Sequence, residues 1–404
     1  MIPKVFLVSA VLSGVLLIPV QAQTPAGVQN APRQTDKSGY ELLIEAGKLI
    51  SPDYSIYEKI PAAEKLKKQR LIVARNAPAL QRLREALQKP IEVPLTKNVA
   101  EVPALRVGAR VRELARQLDL ESDVRFADGD YAGAMDSKLD SIELGIAFQN
   151  GPVLASLVGV AMESIGRRDI EKSAARLSPE QLRAAATRLV ALEARRPMYE
   201  ATLRRELLEK QSYYPAMLAD TQKRAREKPA PRGDDVFSTA DYAALDNLSL
   251  QVLESNLTRA FAPAIENAAL PFAAARDLPR LTDLDPLSRL VMPLPVRQSR
   301  FPRERSVAQN RLLIAALELR AQKLESGSYP TQFNAPLDPF SPDAKPLVYK
   351  KTAMGYLLYS VGPDGKDDGA GEIQTVETNE DTGAKTVTAR LAPNSTGDIV
   401  QSAF

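Results

Sequence analysis

Apolar residues recur at helical spacing through most of this 404-residue chain. Between residues 40 and 276, Leu, Ile, Val and Ala return every three or four positions, as in helices that bury one face. One start signal is strong: Ser178 is a predicted N-cap, Pro179 the first helical residue, and Gln181 completes a capping box. Pro197 is expected to kink or split the helix that begins at Pro179. The pattern predicts an α-helical domain over residues 40–276.

Proline also marks a predicted break nearer the amino terminus. The segment "AAEKLKKQRLIVARNAPALQRLREALQK" (Ala62–Lys89) has helical periodicity on both sides of Pro78. Because proline can start a helix but disfavours its continuation, we expect two helices that meet near Asn76–Pro78.

The segment Pro103–Gly151 predicts a helical hairpin with its turn at Ala127–Tyr131. Gly129, Tyr131 and Ala134 are small and aromatic residues at positions where two antiparallel helices must approach, which resembles the hairpin of tetratricopeptide repeats. The match covers one partial repeat, and a plain helical hairpin is an equal alternative. We therefore expect a helical-hairpin, tetratricopeptide-like body.

The periodicity changes after the helical body. Residues 277–304 contain five prolines and predict a linker or extended crossover. An amphipathic helix is predicted over Arg305–Gly327, a β-hairpin over Lys345–Ser360, and a further strand over Ala384–Leu391. The fold class predicted for the whole chain is mainly α, with a small α+β module at residues 305–404.

The first 22 residues have the features of a secretory signal peptide. Lys4 is followed by an uncharged apolar run (Val5–Val20) and by a small-x-small sequence (Val20–Ala22) suited to cleavage. We expect an exported protein, periplasmic or extracellular, with a flexible lead at 23–39 and no membrane span after cleavage. The alternative is an uncleaved N-terminal anchor, for which the apolar run is short.

Composition excludes several kinds of chemistry. The chain has no Cys and no His, which excludes disulfides, thiol nucleophiles, Cys-based zinc sites and any catalytic triad that needs His. Oxygen ligands remain, and these suit calcium or magnesium. The net charge of +3 is too small to favour a nucleic-acid partner.

An acidic, glycine-rich loop is the most informative stretch of the sequence. Residues Tyr359–Glu372 read "YSVGPDGKDDGAGE", with four glycines that permit tight turns. Asp364, Asp367 and Asp368 bring three carboxylates into this loop. Calcium takes six to eight oxygens from carboxylates and backbone carbonyls on flexible loops, so the loop is a candidate calcium site. The alternative is a solvated turn in which Asp and Gly serve turn geometry alone.

Several motifs follow the predicted helix of the C-terminal module in a definite order. They are "GSYPT" (Gly327–Thr331), "LDPFSPDAKPLVYK" (Leu337–Lys350), "YLLYSVGPDGKDDG" (Tyr356–Gly369) and "GDIV" (Gly397–Val400). In this order, over about a hundred residues, the module resembles the globular head of the major pseudopilin of type II secretion systems.

This resemblance implies a small α+β fold and a structural calcium ion. Asp364 and Ser360 match the Asp and Ser of the family's Ser-x-Gly-x-Asp-Gly motif, and Asp398 corresponds to its late Asp. Asp367 and Asp368 lie where further acidic residues occur in the family.

The chain also departs from the pseudopilin pattern. It lacks the Gly cleavage site, the Glu that follows it, and the long apolar helix that leads into the head. About 280 residues of predicted helical body precede the module instead. The resemblance therefore implies a fold and an ion site, and it does not imply entry into a pilus by the usual helix packing.

Three functions follow as hypotheses. The first is a secreted or periplasmic, non-enzymatic binding or scaffold protein with a protein partner and a calcium-stabilised module. The second is an accessory component of a type II secretion or pilus-like system. The third is a hydrolase that uses carboxylates. Pairs such as Glu41 and Glu45 occur by chance on a solvated helix face, so this third hypothesis is the weakest.

Overall fold

The computed structural model describes residues 37–57, 61–97, 103–227, 237–276, 278, 281–290, 293, 295–378 and 385–401. The described chain is mainly helical with a small amount of strand near its carboxyl end, which confirms the predicted fold class. The predicted signal peptide (1–22) and all but the last three residues of the predicted lead (23–39) lie outside the described residues. The described residues from Lys37 onward belong to one compact unit.

Helices form the body of the fold. In chain order they are α1 (Gly39–Leu49), α2 (Ala62–Leu87), α3 (Pro103–Ala127), α4 (Tyr131–Phe148), α5 (Val153–Arg167), α6 (Ile170–Ala174), α7 (Pro179–Ala194), α8 (Tyr199–Glu227), α9 (Thr239–Asp246), α10 (Leu250–Ala268), α11 (Pro286–Leu290) and α12 (Val296–Ser326).

The predicted hairpin is formed by α3 and α4. Gly129 turns the chain with φ of 83°, a conformation that glycine adopts without strain. Asp130 then caps α4 by accepting a hydrogen bond from the Gly133 amide at 2.9 Å. The hairpin is confirmed, and its likeness to a tetratricopeptide repeat stays a prediction.

Glycines allow α4 and α5 to pack closely. A Cβ on Gly145 would lie 2.6 Å from the carbonyl oxygen of Gly159, and a Cβ on Gly159 would lie 2.4 Å from that of Gly145. A side chain at either position would push the two helices apart. This close crossing forms one wall of the apolar core that α1, α2 and α3 complete.

The predicted break at Pro78 is wrong. The chain continues as one helix, α2, through this proline. A proline inside a helix removes one backbone hydrogen-bond donor, and its ring clashes with the preceding turn. Here Ile72 before the proline and Leu80 and Leu83 after it are all buried, so packing holds both halves on one axis.

The other proline and capping predictions are confirmed. Helix α7 begins with the capping box of Ser178 and Gln181, with Pro179 at its first position. The helix ends before Pro197, and α8 begins after it. Helix α1 also has a capping box, which the sequence analysis missed: Ser38 and Glu41 bond reciprocally, so Gly39 starts the helix instead of ending the lead.

Helix α12 begins nine residues earlier than predicted, at Val296, so the end of the predicted linker (277–304) is helical. Pro302 lies inside its second turn. The adjacent Phe301 is buried against Phe272 and Phe340, with ring centroids 6.3 and 6.2 Å apart. These aromatic contacts keep the segment helical despite the proline.

The C-terminal strands form two small antiparallel sheets. The predicted hairpin is confirmed, with Val348 opposite Tyr359 and its turn closed by a 3.0 Å bond from the Thr352 amide to the Gly355 carbonyl. The first sheet has the order β1 (Val348–Lys351), β2 (Tyr356–Ser360), β5 (Ile399–Gln401), and the second pairs β3 (Thr375–Thr378) with β4 (Lys385–Thr388).

Helix α12 is shared by two apolar cores. One face carries Leu313 and Leu317 into the core formed with α4, α6 and α7. The other face carries Leu312 and Leu319 into the core formed with the β1–β2–β5 sheet. The helix therefore joins the helical body to the C-terminal module.

A buried charged network joins α5 and α12 to the chain that follows α7. The Glu163 side chain has no exposed surface, and its two oxygens accept bonds from the Arg196 guanidinium at 2.7 and 2.8 Å. Asn310 of α12 donates to the same carboxylate at 2.8 Å. Arg167 donates to Asn310 at 2.7 Å, and Glu193 also binds Arg196. Because the two ion-pair partners are fully desolvated, each depends on the other.

No helix in the described part of the chain is long and apolar enough to cross a bilayer.

Candidate functional site

The structure places the acidic loop between β2 and β3, where it turns repeatedly. Gly362, Gly365 and Gly369 have φ near 70°, and Ala370 follows with φ of 67°. Glycine accepts this left-handed conformation at little cost, whereas alanine is strained in it. Three of the four glycines of the loop therefore serve its turn geometry.

Asp398 lies beneath this loop and organises its second half. The residue is 2 % exposed, and its carboxylate accepts hydrogen bonds from the amides of Ala370 at 2.7 Å and Gly371 at 3.1 Å. Asp368 makes the reciprocal contact by accepting from the Gly397 amide at 3.1 Å. Burial raises the pKa of Asp398, and the backbone donors oppose that effect. The structure thus brings Asp368 and Asp398 together.

Asp364 is half-buried, and Asp367 is exposed. Asp364 accepts a bond from the Lys366 amide at 3.2 Å, which is a local turn contact. Asp367 accepts from the Tyr359 hydroxyl at 2.7 Å and from the Gly369 amide at 2.9 Å. These two bonds lower the pKa of Asp367.

Ser360 is buried and bonds to a residue that the sequence analysis did not name as a site residue. Its hydroxyl donates to Asp338 at 2.8 Å, and the same carboxylate accepts from the amides of Phe340 at 3.0 Å and Val361 at 2.7 Å. The signal available in the sequence was Asp338 before Pro and Phe, since Asp often accepts from the amide two residues on. Asp338 therefore connects the "LDPF" turn to the end of β2.

The carboxylates of the loop accept hydrogen bonds mainly from backbone amides. These bonds stabilise the negative charges, as a bound cation would. Within the described residues, no group of three or more acidic side chains has the spacing needed to hold a metal ion. The five predicted ligands do not form one oxygen cage in this arrangement. Calcium binding at Ser360, Asp364, Asp367, Asp368 and Asp398 stays a prediction.

A calcium titration of the full chain tests this prediction. If the loop binds calcium, the ion should raise the melting temperature, with a dissociation constant on the order of 10⁻⁴–10⁻³ M as in extracellular sites. Asp364→Ala should abolish both effects, and Asp343→Ala, at an exposed Asp outside the loop, should abolish neither. Absence of binding at millimolar calcium in calorimetry would leave the loop as a turn held by its own hydrogen bonds.

A second candidate site is a cleft in the helical body. The cleft has a volume of about 570 Å³ and lies between the end of α2, the second half of α4 and the end of α7. Its floor is made of the buried side chains of Leu87, Ile91, Ile146 and Leu192. An apolar, concave surface of this size is typical of ligand and partner sites.

The rim of the cleft carries charge. Glu143 binds Arg188 at 2.9 Å and Arg195 at 2.7 Å, and both Arg195 and Lys89 line the opening. Arg188 also binds Asp140, and Arg84 binds the same carboxylate at 2.8 Å. This ladder of ion pairs fixes α4 against α2 and α7, so the cleft is held open by the packing of the body. Its lining is too scattered along the chain to be recognised from sequence.

Comparison with protein-family models, curated proteins and solved structures found no match for this chain. The likeness of the C-terminal module to pseudopilin heads therefore stays a prediction.

Proposed function

We propose that this chain is an exported, non-enzymatic binding or scaffold protein that contacts a protein partner at the cleft between α2, α4 and α7. The observation that carries the proposal is an apolar floor inside a charged rim, at a place where the helices are already fixed. Protein interfaces combine a desolvated apolar centre with a polar edge in the same way.

The charges of the cleft favour binding over catalysis. Glu143 is the one acidic residue among the described lining residues, and both of its oxygens are engaged by arginines. Hydrolysis by carboxylates needs an acid and a second carboxylate that face one bond. The hydrolase hypothesis therefore has no support from this cleft.

Export rests on the N-terminal sequence, with its basic start, apolar run and small-x-small cleavage sequence. We accordingly place the protein in the periplasm or outside the cell, with calcium as a structural ion of the module if the acidic loop binds it.

The alternative of a secretion or pilus-like accessory component is supported by the order of elements in the module. A helix, a β-hairpin, the acidic loop and a late Asp-Ile sequence follow one another, as the pseudopilin resemblance implies. Cross-linking in cells that assemble a type II system tests it. If the protein forms no cross-link to any pseudopilin, this alternative is wrong and the scaffold proposal remains.

Filling the cleft should abolish partner binding without unfolding the body. Ala147 is half-buried at the cleft, and Ala147→Arg would place a long charged side chain over the apolar floor. We expect at least a tenfold loss of affinity, equivalent to about 1.4 kcal/mol or more. The measurement is quantitative cross-linking of the full chain in envelope extract.

Ala184→Arg is the matched control for this change, because Ala184 is exposed on α7 and does not line the cleft. It should leave every cross-link unchanged. The cleft is not the partner site if both variants retain the wild-type set of cross-links while their melting temperatures stay equal.

A further inference from the structure

A larger groove lies between the helical body and the β3–β4 sheet. Its volume is about 920 Å³, and its walls are α5, the first half of α12, β3 and the segment that follows β4. It is separate from the cleft and from the acidic loop, and shares no lining residue with the cleft.

The charged residues that line this groove are all arginines. They are Arg167 of α5, Arg305 of α12 and Arg390 after β4, and no acidic side chain is among the described lining residues. Ser164, Gln298, Gln309 and Asn394 add neutral polar groups. A concave surface with one sign of charge concentrates ligands of the opposite sign.

Arg167 is held in place by the buried network. Its guanidinium donates to Asn310 at 2.7 Å and to Ser306 at 3.0 Å. Glu163 lies 3.4 Å away but is already bound by Arg196 through both oxygens, so it neutralises Arg167 only in part. Burial and the nearby charges of Arg196 and Arg305 lower the pKa of Arg167, while Glu163 opposes them. The groove therefore contains an oriented cation.

Arg305 has no hydrogen-bond or ion-pair partner among the described residues, and its side chain is exposed at the groove. Most other arginines of the helical body are engaged by carboxylates. An arginine without a carboxylate, next to a second arginine, leaves a local excess of positive charge that a ligand can neutralise.

The remaining lining is apolar and suits a chain more than a single ion. Pro302, Leu391 and Pro393 are half-buried residues of the groove lining, whereas the Phe301 ring is buried in the core of the module. A phosphate ion would occupy a small part of 920 Å³ and would leave Pro302, Leu391 and Pro393 partly exposed. A peptide segment would fill the length and bring several carboxylates to the guanidinium groups.

We propose that this groove binds an acidic peptide segment of a partner protein, with Arg305 and Arg167 pairing with its carboxylates. This second site goes beyond the proposed function, because it needs no occupant in the cleft between α2, α4 and α7. Apolar residues of the segment would lie against Pro302 and Pro393.

Fluorescence anisotropy with the full chain and a labelled polyglutamate peptide tests the proposal. Arg305→Glu reverses one charge in the groove, and we expect it to weaken binding about tenfold or more. The matched control is Arg112→Glu, because Arg112 is exposed on α3 and does not line the groove. It makes the same change in net charge and should alter the affinity by less than about twofold.

Three results would overturn the proposal. The first is equal weakening by Arg305→Glu and Arg112→Glu, which would mean attraction to net charge alone. The second is complete displacement of the peptide by inorganic phosphate at equal charge concentration, which would indicate a site for a small anion. The third is stronger binding to vesicles of anionic lipid than to the peptide, with the same dependence on Arg305. Unchanged peptide binding in Ala147→Arg would separate this site from the cleft.

Discussion

Glu163→Ala is expected to lower the free energy of unfolding by about 3–5 kcal/mol, the cost of leaving one partner of a buried ion pair uncompensated. Arg196 would keep Glu193 but lose two bonds, and Arg167 and Asn310 would each lose a neighbour. The variant should unfold at clearly lower denaturant concentration, measured by circular dichroism.

Glu200→Ala provides the matched control. Glu200 pairs with Arg204 one turn along α8, and the Arg204 side chain is 62 % exposed. Exposed pairs of this kind contribute about 0–1 kcal/mol, so little should change. An equally small effect of Glu163→Ala would mean that water or local movement compensates the buried arginines.

Acid should act through the same carboxylate. Burial raises the pKa of Glu163, but the charge of Arg196 and its hydrogen bonds outweigh burial and lower it from 4.5 to about 2. A pKa lowered on folding contributes stability that is complete above the unfolded pKa and is lost as pH falls towards the folded one. Wild-type protein should therefore lose roughly 3 kcal/mol between about pH 5 and pH 2 from this group. Glu163→Gln, already weaker at neutral pH, should lack that component.

The second large effect is expected for Asp338→Ala in the C-terminal module. The substitution leaves the amides of Phe340 and Val361 and the hydroxyl of Ser360 buried without their acceptor. An unsatisfied buried donor costs about 1–3 kcal/mol, so the combined loss should be roughly 3 kcal/mol or more. Thermal melting of the full chain measures it.

Asp343→Ala, five residues further on, is the control for this change. The Asp343 side chain is 65 % exposed and pairs with the exposed Lys345, so its removal should be nearly neutral. Asp338→Asn should give an intermediate result, because its amide can accept on one side but presents a donor to the Val361 amide on the other. If calcium restored the melting temperature of Asp338→Ala fully, the hydrogen bonds would not be what holds this turn.

Local signals in the sequence predicted the elements well where local forces decide. The capping box at Ser178, the break at Pro197 and the turn at Gly129 each depend on a few neighbouring residues. The predicted break at Pro78 is wrong because tertiary packing of α2 outweighs the local cost of a proline. Nothing near Pro78 in the sequence reveals how much of the helix on each side is buried.

The polar sites were harder to predict for the same reason. The network at Glu163 gathers residues that are more than 140 positions apart, such as Asn310. Its sequence signal was a single carboxylate among the apolar residues of α5, which resembles a boundary residue as much as a buried one. Asp398 was associated with the acidic loop by motif order, and the structure does place it there. The sequence could not indicate that backbone amides would satisfy its carboxylate.

The shared helix α12 has a consequence for how the molecule melts and how it can be divided. Because Leu313 and Leu317 belong to one core while Leu312 and Leu319 belong to the other, loosening either core removes support from the same helix. On heating, the helical body and the C-terminal module should therefore unfold in one cooperative transition. A fragment cut near residue 305 would take away a wall of the remaining body and expose an apolar stripe of its own. We therefore expect evolution to retain or to lose the body and the C-terminal module as one unit.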